Sequence, residues 1–252
     1  MPLTITAWLL VAAILLASSV LQGAVGFAAG LFGIPLLMLT GIALPEAVAI
    51  SLVASAVQNG TAAWQLRREI DYRGALRPML IRFATLPLGA LALWWLGRES
   101  KDAASQLVGV VVLGIVATQW LFRVPPQPRL HPAWEWLTFS LAGFLLGLCG
   151  MGGPPMALWV LAHDWPMSRA RAFLYYLFVT GLPLQALLLW VFFGREILWA
   201  MLLGLAAVPV LFAGIYAGLA LSRLIPERIL RAIATAVLVL IAVSAIALPW
   251  LR

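Results

Sequence analysis

Glycine and proline interrupt two apolar stretches that are otherwise long enough to cross a membrane. The first interruption reads GAVGFAAGLFGIP over residues 23–35, and the second reads GFLLGLCGMGGPP over residues 143–155. Backbone that leaves a helix inside hydrocarbon is tolerated only where protein buries it or where it lines a wet cavity. A pair of interrupted segments in corresponding positions of two halves is a strong pointer to the binding site of a transporter.

The composition places most of the chain in a lipid bilayer. Hydrophobic residues make up 64% of its 252 residues and charged residues only 10%, whereas roughly a quarter of a soluble domain is charged. The net charge of +7 comes from arginines in short loops between apolar stretches, which indicates membrane orientation and argues against nucleic-acid binding. We therefore predict an all-α polytopic membrane protein.

Ten apolar segments fall into two sets of five. The proline-rich sequence VPPQPR at residues 124–129 separates the sets and is the only clear linker. This division predicts a first membrane repeat at 1–122, a linker at 123–132 and a second repeat at 133–252. The predicted segments, which amount to about 8–10 in the membrane, are 4–22, 24–40, 44–66, 76–97, 103–122, 133–149, 153–163, 167–192, 196–221 and 227–250.

The two sets match each other in order. A shift of 120 residues superimposes the first break on the second, and the shift drifts to 125 further along the chain, as loop insertions would cause. The ordered matches predict an internal duplication. The matched pairs are Gly30 with Gly150, Gly33 with Gly153, Pro35 with Pro155, Gly60 with Gly181, and Gly89 with Gly214.

Segment length predicts how the breaks are built. Segment 153–163 reaches only about 17 Å as a helix, against a hydrocarbon core of about 30 Å, so it does not cross. Together with 133–149 it predicts a re-entrant helical hairpin whose tip is the break. The duplication predicts the same for 4–40, although its longer limbs leave two full crossings open.

The distribution of positive charge predicts that the second repeat is inverted. If each broken segment enters and returns on one side, twelve arginines lie inside and four cations outside, whereas a single crossing of each gives 9 against 7. The positive-inside rule favours the first arrangement, which places both termini outside. The inside residues are Arg67, Arg68, Arg73, Arg77, Arg82, Arg123, Arg129, Arg169, Arg171, Arg223, Arg228 and Arg231. The outside residues are Arg98, Lys101, Arg195 and Arg252.

The breaks are predicted to bind a small anion. Proline is well tolerated in the first turn of a helix, so we expect helices to start near Pro35 and Pro155 with their N-termini deep in the membrane. Free N–H groups and the positive end of the helix dipole attract anions there, and Gly33 and Gly153 let the backbone approach a ligand closely. The alternative is that these glycines only allow tight helix packing.

Uncharged polar residues within the spans are candidates for the rest of the binding site. Gln58 and Asn59 lie near the middle of segment 44–66, and Thr180 and Gln185 flank a glycine and a proline in the equivalent segment 167–192. Gln22 precedes the first break. Such groups need hydrogen-bond partners in apolar surroundings, and neighbouring side chains or carbonyls are the alternative to a substrate.

No catalytic, cofactor or metal site is visible in the sequence. The two histidines, His131 and His163, lie near loops, and the single cysteine, Cys149, is interpreted as a packing residue of the second break. The carboxylates lie near segment ends, so a carboxylate proton relay is not predicted. We predict no enzymatic activity and no cofactor. Without a G-x-x-x-x-G-K-[ST] motif, the chain is predicted not to consume ATP.

The two breaks resemble those of the TauE/SafE family, also called the sulfite exporter or toluenesulfonate-uptake permease group. The sequences QGAVGFAAGLFGIP at residues 22–35 and GLCGMGGPP at 147–155 are similar to the glycine-rich turn and proline that mark each of the family's two repeats. Leu31 and Phe32 stand where small residues are common, which bears on substrate size. The likeness covers nearly the whole chain. It implies a bacterial inner-membrane permease for small anions such as sulfite, organosulfonates or carboxylates.

The sequence therefore predicts a secondary transporter with a midplane site between two broken helices and with alternating access. Its expected partners are a small anionic substrate and the lipid bilayer, and homo-oligomerisation is left open. A channel-like anion pore is the first alternative, and a membrane enzyme or assembly subunit is the second. The exact substrate, the direction of transport and the coupling ion do not follow from the sequence.

Overall fold

The computed structural model describes residues 5–25, 29–99, 101–121, 127 and 130–251. These residues form eleven α-helices and a short 3-10 helix, Arg67–Glu69, and within them there is no β-strand. The prediction of an all-α polytopic membrane protein is confirmed. The helices are α1 (Ile5–Val25), α2 (Ala29–Leu39), α3 (Leu44–Gln65), α4 (Tyr72–Glu99), α5 (Lys101–Leu121), α6 (Pro132–Cys149), α7 (Gly153–Leu161), α8 (Met167–Phe193), α9 (Arg195–Ala206), α10 (Val208–Leu224) and α11 (Glu227–Leu251).

Several helices have the length and composition of membrane spans. Among the described residues, Tyr72–Arg98 and Met167–Phe193 each meet both criteria, and the bent pair α9–α10 meets them as one broken span. Large apolar side chains on their outer faces are exposed, as lipid-facing residues are; Leu88 and Trp199 are examples. Tryptophans near helix ends, such as Trp64 and Trp120, agree with an aromatic belt at the membrane interface.

One predicted segment is broken into two helices, and one predicted helix start is wrong. Segment 196–221 is not one helix, since α9 ends at Ala206 and α10 begins at Val208 after a bend of 49°. Pro209 in the first turn of α10 has no N–H to donate across this bend. The helix predicted to start at Pro35 starts at Ala29 instead, so Pro35 lies inside α2. Surrounding helices make such an internal proline tolerable in a membrane protein.

One end of the helix bundle, which we call the arginine-rich end, gathers the starts of α4, α6 and α8. Arg169 near the start of α8 donates to the carboxylate of Asp71, just before α4, over 2.9 Å. Arg77 of α4 lies 3.7 Å from Glu135 of α6. These ion pairs hold three predicted inside loops next to one another.

The opposite end gathers the start of α3 and the ends of α4 and α8. A Cβ atom at Gly97 would lie 3.5 Å from the ring of Phe193 and 3.8 Å from Pro45. A cavity of about 270 Å³ lies here, and we call it the acidic cavity. Its charged lining residues are Glu46, Asp102 and Glu196.

Helices α6 and α7 form a hairpin that enters and leaves at the arginine-rich end. The chain turns at Gly150, which has a φ of +71°, and Phe139 of α6 then faces Trp159 of α7 with ring centroids 5.1 Å apart. Before α6, the N–H of Gln127 donates to the carbonyl of Ala162, after α7, over 2.8 Å. With nine residues, α7 is about 14 Å long and too short to cross. This is the predicted re-entrant geometry; most of the predicted linker, 123–132, lies outside the described residues.

Helices α1 and α2 enter from the opposite end. Gly214 of α10 packs against Ser19, and Gly218 packs against Val20, so α1 and α10 advance in the same direction toward the arginine-rich end. The end of α2 returns, because Leu39 lines the acidic cavity. Residues 26–28, in the first break, lie outside the described residues. The two hairpins therefore approach from opposite ends, as inverted repeats require.

The contacts between helices are nearly preserved when the two predicted repeats are exchanged. Helix α4 packs extensively on α6, and α1 packs in the same way on α10. The Gln58 side chain donates to Ser19 Oγ over 3.1 Å, and the Gln185 side chain donates to the Leu146 carbonyl over 2.8 Å. Each bond spans 39 residues of sequence. These correspondences fit the duplication, which stays a prediction.

Candidate functional site

A cavity of about 1820 Å³, the main cavity, extends from the arginine-rich end into the bundle. It is lined by α1, α3, α5, α7, α8, α10 and α11, and its volume leaves room for water together with a small solute. At its mouth the lining residues include Gln65, Leu161, Met167 and Ser222. In its interior they include Gln22, Gln58, Asn59 and Gly153.

Four of the predicted site residues therefore share one cavity. The Asn59 side chain is 7% exposed, and within the described part of the chain no hydrogen bond holds its amide. Gln58 is 8% exposed and donates to Ser19 through its nitrogen. Gln22 also has a partner of its own. Of the three amides in the interior of the main cavity, Asn59 is thus the one available to a solute.

Arg171 is the one charged residue among the described residues that line the main cavity. It lies one turn into α8, and its side chain takes part in neither of the two ion pairs that the described residues form. Tyr175 lines the cavity four residues later, so the two side chains share a helix face. Among the described lining residues, the cavity therefore presents a positive charge and no carboxylate.

The position of Arg171 in the cavity lining was not predicted from the sequence. The residue was grouped with the inside loops because it lies near the start of segment 167–192. Helical spacing carries the missing signal, since Arg171, Tyr175 and Phe178 recur on one face of α8 and all three line the cavity.

The start of α7 adds hydrogen-bond donors and a helix dipole to the same cavity. Gly152 is the N-cap, no side chain caps the helix, and both Gly153 and Pro154 line the cavity. The first N–H groups of a helix have no intrahelical partner, but Pro154 and Pro155 carry none. The backbone donor at this helix start is therefore the N–H of Gly153 and not a group near Pro155.

The remaining predicted site residues do not line the main cavity. Thr180 donates to the Leu177 carbonyl of its own helix over 3.1 Å. Gln185, which is 3% exposed, ties α8 to α6 through the Leu146 carbonyl. Gly33 and Pro35 are buried within α2. In this conformation, Thr180 and Gln185 have the protein partners that were the alternative to substrate contact.

The two breaks nevertheless touch each other. A Cβ atom at Gly30 would lie 3.5 Å from the carbonyl oxygen of Gly150, and a Cβ atom at Gly150 would lie 2.9 Å from Ile34. Gly33 lies nearby, with the Ser18 and Ser51 hydroxyls 3.4 and 3.6 Å from its Cβ position. Gly30 and Ile34 of the first break therefore pack against the second break, whereas Gly23 and Ala24 at its start line the main cavity.

The prediction that Arg82 lies in an inside loop is wrong. Instead of lying in a loop, its side chain is fully buried in α4, with 0% exposure. Its Nη1 donates to the Leu177 carbonyl of α8. The surrounding sequence, PMLIRFATLPLG, is apolar on both sides of the arginine. This pattern could have indicated that Arg82 lies within a membrane span.

The described residues contain no group of three or more histidines, cysteines, aspartates or glutamates that could hold a metal ion. Cys149 is buried in the second break. His163 lies at the end of the hairpin and bonds the Trp159 carbonyl over 2.8 Å.

Comparison with known proteins identifies one family. The family model described as "Sulfite exporter TauE/SafE" matches residues 10–245, which is nearly the whole chain. No curated protein and no solved structure is significantly similar to the chain.

Proposed function

The chain belongs to the TauE/SafE sulfite exporter family, and from this membership we propose that it carries sulfite, an organosulfonate or a small carboxylate by alternating access at the main cavity. The family is one of membrane transporters of sulfite and related anions. The substrate within that class and the mechanism are the proposed parts.

Arg171 carries the proposal. A cation that lines a cavity with no carboxylate among the described lining residues attracts a small oxyanion, and apolar walls strengthen that attraction. The N–H of Gly153 and the amide of Asn59 supply hydrogen bonds further in. An anion is thus met first by charge and then by neutral donors.

The architecture supports alternating access. The main cavity reaches the arginine-rich end, whereas the opposite end is packed where Gly97, Phe193 and Pro45 meet. Two hairpins that enter from opposite ends give a second conformation in which access is exchanged. We assign the arginine-rich end to the cytoplasm by the positive-inside rule, so that both termini would lie outside, and the family resemblance favours the inner membrane.

Thermal unfolding of the purified protein tests the substrate class. Sulfite, methanesulfonate and acetate are compared with chloride at equal ionic strength, and we expect at least one of the three to raise the unfolding temperature with concentration. Arg171→Gln should remove most of that shift. Arg73→Gln, which changes an exposed arginine outside the cavity lining, should keep it.

Two results contradict the proposal. One is that none of the three anions stabilises the wild-type protein more than chloride does. The other is that Arg171→Gln and Arg73→Gln respond alike, which would place the bound anion away from the main cavity.

A further inference from the structure

Arg82 is fully buried inside the helix bundle, and most of its hydrogen-bonding capacity is unused among the described residues. It lies ten residues into α4, about 15 Å along the helix. Neither ion pair of the described residues includes it. A buried charge without an opposite charge is strongly disfavoured, and an ionisable residue inside a membrane protein calls for a named partner.

The unused donors lie on one edge of the guanidinium. Nη1 donates to the Leu177 carbonyl, while Nε and Nη2 have no partner among the described residues. The N–H bonds of Nε and Nη2 run side by side, and this edge is the one that binds two oxygens of an oxyanion at once. The edge is therefore preorganised for a group such as sulfite, sulfonate or carboxylate.

Gly181 of α8 lies directly against this edge of the guanidinium. A Cβ atom at Gly181 would lie 2.9 Å from Nη2 and 3.6 Å from Cζ of Arg82. Any larger residue at position 181 would therefore press on the guanidinium. The glycine also lies within an α8 segment where the backbone of a regular helix needs none.

The edge lies next to the inner limit of the main cavity. Phe178 of α8 lines the cavity, and its ring lies 3.0 Å from the Cβ position of Gly153. Gly181 follows three residues later on the same side of α8, further from the cavity mouth. Phe178 thus separates the cavity from the neighbourhood of Arg82 in this conformation.

We propose that the free edge of Arg82 is a second binding station for the transported oxyanion, reached from the main cavity when Phe178 moves aside. The inference rests on the proposed function and extends it. Arg171 attracts the anion at the open cavity, and Arg82 holds it at mid-depth while access is exchanged. The anion then supplies the negative charge that the described residues do not place beside Arg82.

Replacing the charge by an apolar side chain of similar length tests this role. Arg82→Met should unfold at or above the wild-type temperature, because removing an unpaired buried charge is neutral or stabilising. Sulfite counterflow into proteoliposomes should nevertheless fall about 10- to 100-fold, the value of a charge-assisted bidentate contact. The sulfite-induced thermal shift should persist, since Arg171 is intact. Arg98→Met, at the far end of α4 and over Trp94, is the matched control and should transport normally.

Gly181→Ala is a second variant that keeps the charge. Its methyl group would lie against Nη2, so we expect counterflow to fall while the helix remains intact. Gly114→Ala in α5, where a Cβ atom meets nothing within 4 Å, is its control.

The outcomes separate the two proposals. If Arg82→Met and Gly181→Ala both show counterflow at the wild-type rate, the Arg82 station is overturned and the proposed function is left intact. Absence of counterflow from the wild-type protein would overturn the proposed function itself.

Discussion

Polar side chains in the main cavity differ in whether they already form a hydrogen bond within the protein. The amide nitrogen of Gln58 donates a hydrogen bond to the Ser19 hydroxyl, and this bond joins α3 to α1. Asn59, the next residue, lines the same cavity with its amide available. Gln58 therefore holds two helices together, whereas Asn59 is free to contact a solute.

Asn59→Leu should therefore reduce anion transport strongly while leaving the fold largely intact. The apolar side chain removes hydrogen bonds to the anion, each worth about 1.5–3 kcal/mol when one partner is charged, and costs little in apolar surroundings. Sulfite uptake into proteoliposomes and the unfolding temperature measure the two effects. Thr118→Val in α5, outside the cavity lining, should alter neither. Uptake by Asn59→Leu at the wild-type rate would remove Asn59 from the site.

Asp71 predicts a pH dependence of stability at the arginine-rich end. The N–H of Gly74 donates to its carboxylate, and together with Arg169 this holds the pKa of Asp71 below its ordinary value. A lowered pKa contributes stability that is complete above the unfolded value near 3.9 and is lost as the pH falls through the folded value. Both side chains of the ion pair are about two-fifths exposed, at 43% and 41%, so the effect is small.

Comparison with Asp71→Asn measures this contribution. The wild-type protein should unfold at a higher temperature than the variant at pH 7, and the difference should shrink as the pH falls below about 3.9. A difference that stays constant over this range would show that the charge of Asp71 does not contribute.

Two arginines show what residue-level prediction could and could not reach. Arg82 and Arg171 were both counted as loop cations, because a charge near the start of an apolar segment is normally at the interface. The apolar sequence around Arg82 indicated a span, but only the packing of α4 against α8 identifies the free edge. The proposed site residues Gln58 and Asn59 could be predicted from the sequence, because they are polar residues in the middle of an apolar segment.

At the scale of helices, small residues set how closely elements approach. Gly147 of α6 meets the backbone of Leu86 and Ala90 in α4, and Gly89 of α4 meets the backbone of Phe144 in α6. On the other side, Gly218 of α10 meets the backbone of α1. Such contacts give close packing without a hydrophobic driving force, which lipid does not provide.

Gly147→Ala should separate α4 from α6 and destabilise the protein. A Cβ atom at this position would meet the carbonyl oxygen of Leu86, and backbone atoms have to shift to admit it. Overpacking of this kind costs about 1–3 kcal/mol, which lowers the unfolding temperature. Gly114→Ala has open space and should be neutral or slightly stabilising, because alanine favours a helix by about 1 kcal/mol over glycine. Equal unfolding temperatures for the two variants would contradict the role of close packing.

Helix positions were largely predictable because apolar runs end where lipid ends. The exceptions are both proline positions within apolar sequence. Pro209 begins α10 after a bend, whereas Pro35 lies inside α2. Sequence alone does not separate these cases, since neighbouring helices decide whether the carbonyl freed by a proline finds support.

At the scale of the whole molecule, the conformation is open toward the arginine-rich end. The main cavity is large and the acidic cavity at the opposite end is small, about 1820 against 270 Å³. The repeats were predicted from ordered matches along the chain. Which face is open could not be predicted, because it depends on how the two hairpins are seated.

Cysteine labelling tests this sidedness. Ala157→Cys lies in the main cavity, so a membrane-impermeant maleimide should label it in inside-out vesicles and not in right-side-out ones. Ala43→Cys lines the acidic cavity and should show the reverse pattern. The native Cys149 is buried and should remain unlabelled. Labelling of Ala157→Cys only from the outside would reverse the assigned orientation.

Counterflow tests the central claim, which is that this chain carries a small oxyanion through a site that faces one side at a time. Proteoliposomes are loaded with unlabelled sulfite and diluted into a trace of radiolabelled sulfite. We expect a transient accumulation of label above equilibrium that saturates with internal sulfite. A flux that never exceeds equilibrium and instead appears as large single-channel currents would contradict it and identify a pore.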